Sequence, residues 1–391
     1  MEFSTLAIRV GQEWDGQFHA VVQPIYQSST FGWSDLATPP PHDYTRCGNP
    51  NRSSLEAVIA ALEGGRHCVL FGSGMAAITG ALSILEQGDH MLMASDIYGG
   101  THRLCHKLLV KYGIHTTEFD AQKPCTIREL VQPNTKLLIF EGPTNPNLRV
   151  VDIQAIVNEA KALGLVTVFD NTFASPALQR PLEYGVDIVV HSTTKYISGH
   201  SDVIGGAVVT NDESIRDALA EYSKTVGNVP SPFDCWLTLR GVKSLGARMR
   251  IHCENAMAVA EFLESNSRIA KVHYPGLKSH PQHALAARQM KDGFGGMIAF
   301  EVAGSPAQAI QVAESLKIIL LGESLGAVES LLGYPPLMSH AGLTEEERVE
   351  RGIPPTLLRL SVGIEDPRDL IADLKQALTT VFKPTAALAG V

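Results

Sequence analysis

Between residues 50 and 210 short, unbroken apolar runs alternate with segments of helical spacing, and this alternation most restricts the possible folds. Cys68–Phe71, His90–Ala94, Leu137–Phe140, Val166–Phe169 and Ile188–Val190 are the apolar runs. Asn51–Glu63, with Leu55, Val58, Ile59 and Leu62 on one face, and Ile153–Leu163 have helical periodicity. A strand apolar at every position is buried on both faces, so the pattern predicts a mostly parallel sheet covered by helices on both sides, an α/β fold. After residue 210 the rhythm changes. Long helical stretches, Ser214–Tyr222 and Leu237–Ser265, precede two runs that read as antiparallel strands, Gly293–Ala303 and Leu357–Ile364. The chain of 391 residues therefore divides into an irregular, extended N-terminal arm (1–50), a large α/β domain (51–245) and a smaller α+β domain (246–391). The arm is expected to reach a neighbouring subunit.

Composition narrows the function classes. With 32 basic and 41 acidic residues the net charge is −9, the wrong sign for a nucleic-acid partner. His67–Leu85 runs nineteen residues without a charge, long enough to span a bilayer, but its pattern changes midway. A strand to Phe71 and a helix over Met75–Leu85 explain it better, so no membrane association is expected. The N-terminus lacks the pattern of a secretory signal. Six cysteines at 47, 68, 105, 125, 235 and 253 form no CxxC pair and are too sparse for a disulfide scaffold. A reducing compartment, the cytoplasm, is expected, and no metal site.

Three constellations carry chemistry. Gly72-Ser73-Gly74-Met75-Ala76-Ala77 follows a strand and opens a helix, where free N–H groups and the dipole attract an anion. It fits G-x-G-x-x-A, and Asp96 lies 24 residues after Gly72, so one reading is an NAD-dependent oxidoreductase. Ser192-Thr193-Thr194-Lys195 lies just past a buried strand, with a lysine whose amine, if desolvated, forms a Schiff base with a carbonyl. Asp170 ends another such strand, and a buried carboxylate needs a cationic partner. An aspartate and a lysine 25 residues apart on successive strand ends suit pyridoxal 5'-phosphate, held protonated at its ring nitrogen and tethered by an amine. A nicotinamide enzyme needs neither, and this pair decides between the two.

The motifs of the chain occur in the order of a known family. Tyr44-Thr45-Arg46 leading to Gly48-Asn49-Pro50, then Ser73-Gly74-Met75 and Tyr98-Gly99-Gly100-Thr101 occupy its first quarter. Glu141-Gly142-Pro143-Thr144-Asn145-Pro146, Asp170-Asn171-Thr172 and Ser192–Tyr196 with Gly199-His200-Ser201-Asp202 follow. Ser324-Leu325-Gly326 and Arg359-Leu360-Ser361-Val362-Gly363 complete the series. Over essentially its whole length the chain resembles the trans-sulfuration enzymes of cysteine and methionine metabolism, pyridoxal-phosphate enzymes of the aspartate-aminotransferase fold.

The resemblance implies the following roles. Lys195 carries the cofactor and later shuttles protons, Asp170 faces the ring nitrogen, and Tyr98 stacks on the ring and takes part in catalysis. The Gly74 and Met75 amides, with Ser192 and Thr194, bind the phosphate. Tyr44 and Arg46 reach the phosphate of a neighbouring subunit, making a dimer the minimal active unit and a tetramer the usual assembly. Asn145, Ser324 and Arg359 hold the carboxylate of a small amino-acid substrate. Asp43, Arg103 and Glu329 belong to the distal end of the pocket. Asn51 stands where the family commonly has Thr, and Gly142 where Ser is usual. Methionine γ-lyases have cysteine at the position of Gly100, which counts against methionine as substrate. At Asp43 γ-lyases often have Glu, while synthases and some β-lyases have Asp, and the segment 228–236 resembles the lyases more than the synthases. The expected activity is carbon–sulfur lyase cleavage of L-cystathionine, with cystathionine γ-synthase or O-acyl-homoserine sulfhydrylase as the alternative.

Overall fold

The computed structural model describes residues 1–12 and 15–382. Helix α1 (Phe3–Arg9) is followed by α2 (Pro50–Glu63), β1 (His67–Phe71), α3 (Gly74–Leu82), β2 (His90–Ala94), α4 (Gly99–Arg103) and β3 (His115–Phe119). Strands β4 (Thr135–Glu141), β5 (Val166–Asp170), β6 (Ile188–His191) and β7 (Gly206–Thr210) complete a seven-stranded sheet of order β1-β7-β6-β5-β4-β2-β3. The β3, β2, β4, β5 and β6 neighbours pair in parallel, and β7 is antiparallel to both β6 and β1. The predicted mostly parallel sheet is present, and β3 and β7 are additions to it.

The apolar strands are split between two layers by the twofold alternation of side chains. Leu138 and Phe140 of β4 point into the core shared with α2, where Phe140 meets Phe169 edge-on at 4.8 Å. Leu137 and Ile139 point the other way, into the core shared with α3. Capping fixes the helices that flank the site. The Asn49 side chain accepts from Asn51 N ahead of Pro50, and the Ser73 hydroxyl accepts from Ala76 N to start α3. The uncharged stretch 67–85 is thus strand, turn and helix, and no helix among the described residues is long and apolar enough to cross a membrane.

A second sheet has the order β10-β11-β12-β9-β8, built from β8 (Ile269–His273), β9 (Met297–Val302), β10 (Leu320–Leu321), β11 (Leu331–Gly333) and β12 (Leu357–Ser361). Except for the parallel β10–β11 pair it is antiparallel. The stretch predicted as one helix over Leu237–Ser265 is two, Pro232–Val242 and Leu245–Glu264, and the second crosses between cores. Leu245, Met249 and Cys253 pack with the large sheet, while Ala256, Val259 and Leu263 pack with the small one. The change of core therefore falls inside this helix, just past the boundary expected at 245. The N-terminal fifty residues are only partly an extended arm: Phe3 and Leu6 of α1 pack on the large-domain core, and the irregular part begins after them.

Candidate active site

The parallel strands β2, β4, β5 and β6 end on one side of the sheet, where open α/β sheets hold their ligands. A cavity of about 380 Å³ opens there, lined by residues of both domains. Asp170 is the last residue of β5, and Ser192 follows β6 directly. Lys195 lies one turn further on, its amide donating to Ser192 O.

The Lys195 amine enters the cavity and donates to Ser324 Oγ at 2.9 Å. Burial, aided by the charge of Arg359 and opposed by Glu323, brings its pKa down to about 8. Ser324 holds that contact with φ at +94°, a left-handed value that costs a non-glycine residue about 1–3 kcal/mol and persists where the surroundings impose it. The Asp170 carboxylate accepts from Thr172 N at 3.0 Å, and no ion pair among the described residues neutralises it. Burial raises its pKa, against the Thr172 hydrogen bonds and the nearby His191.

Behind this aspartate is a sealed polar network. His191 Nε2 lies 2.7 Å from Glu63 Oε2, both side chains fully buried, and Asn171 Nδ2 donates to the same carboxylate. Burial raises the pKa of Glu63, with His191 and Asn171 opposing it. Glu141, at the end of β4, accepts from Tyr98 N at 2.9 Å and Asn145 N at 3.0 Å, so one carboxylate anchors two loops of the cavity wall.

The turn before α3 is an anion cradle. The free N–H groups of a nine-residue helix open here, and a Cβ on Gly74 would come 2.7 Å from Ser192 Cβ, so glycine is required for the close approach. Met75, Ser192 and Thr194 line the same end, with the Thr194 hydroxyl bonded to Gly205 N and O. At the other end Arg359, buried on β12, donates from Nη1 to Asn145 Oδ1 at 2.9 Å and from Nη2 to Ser324 O at 3.1 Å.

Of the predicted site residues, the structure brings Gly74, Met75, Tyr98, Arg103, Asn145, Asp170, Ser192, Thr194, Lys195, Ser324 and Arg359 to this one cavity. Four lie elsewhere. Asp43, Tyr44 and Arg46 are on the exposed arm, where Arg46 donates to Lys224 O and stacks over the Tyr44 ring. Glu329, expected at the distal end, is exposed and accepts from Ser201 Oγ at 3.3 Å instead of lining the cavity. Sequence reasoning gave no role to Glu141, Glu63, His191 or Glu323. The logic that selected Asp170, a carboxylate ending an apolar strand, applies equally to Glu141. The Glu63–His191 contact spans 128 residues and leaves no local signal.

An anion cradle, a desolvated amine and an unpaired buried carboxylate in one cavity suit a flat cofactor with a phosphate, an aldehyde and a basic ring nitrogen. These features define a pyridoxal-phosphate enzyme. The family model for Cys/Met metabolism PLP-dependent enzymes matches residues 4–379, and the chain belongs to that family. It is 46% identical to a cystathionine beta-lyase of Lactococcus lactis, over 96% of this chain and 98% of that protein. It is 44% identical to a cystathionine gamma-lyase of Bos taurus, over 98% and 95% respectively. The crystal structure of a cystathionine gamma synthase from Xanthomonas oryzae, in complex with aminoacrylate and cysteine, superposes with a TM-score of 0.94 at 44% identity, covering 97% of this chain and 98% of the other. The chain is a pyridoxal-phosphate-dependent carbon–sulfur lyase by family, acting on a small amino-acid substrate. The dinucleotide reading of Gly72-x-Gly74-x-x-Ala77 falls away, and Asp96, its ribose partner, bonds Thr144 Oγ1 at 2.7 Å.

Proposed function

We propose that the chain cleaves L-cystathionine. The observation that carries this reading is the presence of two guanidinium groups, Arg359 and Arg103, around a single cavity. Cystathionine has an amino-carboxylate group at each end, so Arg359 takes the carboxylate next to the reacting carbon and Arg103 the distal one. Gly100 supports the same choice. A Cβ there would lie 2.7 Å from Met75 Sδ and closer still to the Tyr98 ring, so the cysteine of methionine γ-lyases requires both side chains to shift. The lyase-like segment 228–236 bears on other parts of the molecule: Asn228 O accepts from Gly72 N, and Trp236 Nε1 donates to Gln23 O of the arm.

In this reading Lys195 carries the cofactor, the α3 N-terminus with Ser192 and Thr194 binds its phosphate, and Asp170 faces its ring nitrogen. Bound there, pyridoxal phosphate supplies an electron sink for negative charge at the substrate α-carbon. With the substrate amine in its place, the freed Lys195 Nζ, its pKa depressed, would take the α-proton and, for chemistry at Cγ, give that proton up before taking one from Cβ. Tyr98 packs against the cofactor ring and assists proton transfer, Asn145 and Ser324 with Arg359 fix the carboxylate, and Asp43 and Glu329 stand outside the reacting centre. The large domain (51–245) holds the cofactor and the small one (246–391) contributes Ser324 and Arg359.

The arm supports a dimer with shared sites. Phe18, Val21, Leu36 and Tyr44 are exposed on it, which is costly for an apolar segment left in water, and a partner subunit would cover them and receive Tyr44 and Arg46 at its phosphate. Dissociation on dilution should then release cofactor, and a monomer with full occupancy would refute the sharing. Six unpaired cysteines favour a reducing compartment such as the cytoplasm.

The deciding assay supplies cystathionine alone, then an O-activated homoserine with cysteine. Pyruvate with homocysteine identifies β-cleavage and 2-oxobutyrate with cysteine γ-cleavage. Cystathionine formation with negligible cleavage would overturn the lyase reading in favour of the synthase.

A further inference from the structure

We propose that His102, His106 and Glu118 form a site for one borderline divalent cation, Zn²⁺ or Ni²⁺, on the far side of the segment that carries Tyr98 and Arg103. None of the three lines the active-site cavity. The two histidines stand four residues apart on a continuous helical stretch, the end of α4 running into a π-helical turn over Leu104–Leu108. That spacing puts both rings on one face, with centroids 4.4 Å apart. Glu118 comes from β3, twelve residues further on, and faces them.

The geometry is that of a ligand set. Glu118 Oε1 lies 3.1 Å from His102 Nε2 and 3.3 Å from His106 Nε2, and all three atoms lie within 4.8 Å of one another. Ligands at the 2.0–2.1 Å bond lengths of zinc, placed at tetrahedral corners, are about 3.3–3.4 Å apart. Two edges of the required figure are therefore nearly formed, and shifts of a few tenths of an ångström would seat the ion. Two imidazoles and one carboxylate are borderline donors, which favour Zn²⁺ or Ni²⁺ over Ca²⁺ or Mg²⁺. Arg351 Nη2 lies 3.5 Å from the other Glu118 oxygen and orients the carboxylate as an outer partner. The side chains are 27%, 37% and 29% exposed, so solvent reaches the site and water completes the coordination. Occupied, the site ties the helix after Tyr98 to the sheet. A cation bound through both Nε2 atoms requires each neutral imidazole to carry its single N–H on Nδ1.

The test titrates chelator-treated, desalted holoenzyme with Zn²⁺ or Ni²⁺ by calorimetry near neutral pH. One saturable site per chain is expected, with a melting temperature that rises with free metal. His102→Ala, His106→Ala and Glu118→Gln should each weaken binding by about tenfold or more, while the cofactor absorbance band is retained. The Cys47→Ser/Cys125→Ser variant, which removes the two exposed thiols, should bind as the parent does. Absence of saturable binding in the parent, unchanged binding in His106→Ala, or loss of binding in the cysteine variant would each overturn the proposal.

Discussion

Arg359→Lys isolates the proposed carboxylate grip. A guanidinium has five N–H donors, and two of those on Arg359 are spent, on Asn145 Oδ1 and Ser324 O. Three remain, enough for a two-pronged hold on a carboxylate. Lysine at this position keeps the positive charge at the bottom of the cavity but offers a point charge in place of the fork. One charge-assisted bond is lost, worth about 1.5–3 kcal/mol, so KM for any amino-acid substrate should rise roughly 10- to 100-fold. The carboxylate is held equally before and during reaction, so kcat should change much less. Steady-state kinetics measure the split, and titration of the cofactor absorbance with an amine lacking a carboxylate supplies the control. The variant should bind that amine as the parent does. An unchanged KM, or an equal loss for the amine without a carboxylate, would refute the assignment.

Incorporation of pyridoxal phosphate into apoprotein should accelerate with pH up to about 8, falling about tenfold per unit below it, because only the unprotonated Lys195 amine reacts. The folded pKa lies below its ordinary 10.5, so the unfolded chain binds the extra proton. Apoprotein stability should therefore rise between pH 8 and 10.5, and Lys195→Met should flatten that slope in denaturant titrations. Gly74→Ala should cut cofactor affinity at least about tenfold with little loss of fold, as the methyl group meets Ser192 at 2.7 Å; equilibrium dialysis decides, and parental affinity would count against the cradle. Glu63→Ala should destabilise by about 3–5 kcal/mol through the buried partners it strands, and Glu63→Gln by less. Equal melting temperatures for parent and Glu63→Ala would show that the network carries no stability.

What was legible in the sequence was whatever is local. Leu137–Phe140, Val166–Phe169 and Ile188–Val190 are apolar at every position, so their burial on both faces, and a site at their ends, followed directly. β3 escaped because His115-Thr116-Thr117-Glu118 is polar, as suits the outer strand of the sheet. β7 escaped because Gly206 opens it, and glycine there is set by a distant contact: a Cβ would press on Ser73 O. The long helix read over 237–265 is interrupted at Lys243-Ser244, between Gly241 and Gly246. The nearby Arg248 secures the turn, donating to Tyr196 O, Ile197 O and Gly241 O. Lys195, Asp170 and Arg359 could be found because each sits in a recognisable local string. Glu63 and His191 could not, since their partnership exists only once α2 lies beneath β6.

Two neighbouring carboxylates show how the fold separates what the family shares from what distinguishes its reactions. Asp170 and Glu141 are paired in register on β5 and β4. Asp170 leaves its charge facing the cavity. Glu141 spends its oxygens on the amides of Tyr98 and Asn145, and its pKa is raised by burial and by the charge of Asp170. Tyr98 and Asn145 are thus referenced to one strand end, and Arg359, which donates to Asn145 Oδ1, shares that reference. Residues so tightly fixed suit the steps common to the whole family, proton removal at the α-carbon and retention of its carboxylate. The choice between Cβ and Cγ must then come from wall segments with no such anchor. Arg103 and the Tyr334–Ser339 stretch are parts of the lining that make no hydrogen bond to Glu141. Exchanges there should redistribute products between pyruvate and 2-oxobutyrate, whereas exchanges at Asn145 or Glu141 should slow both alike.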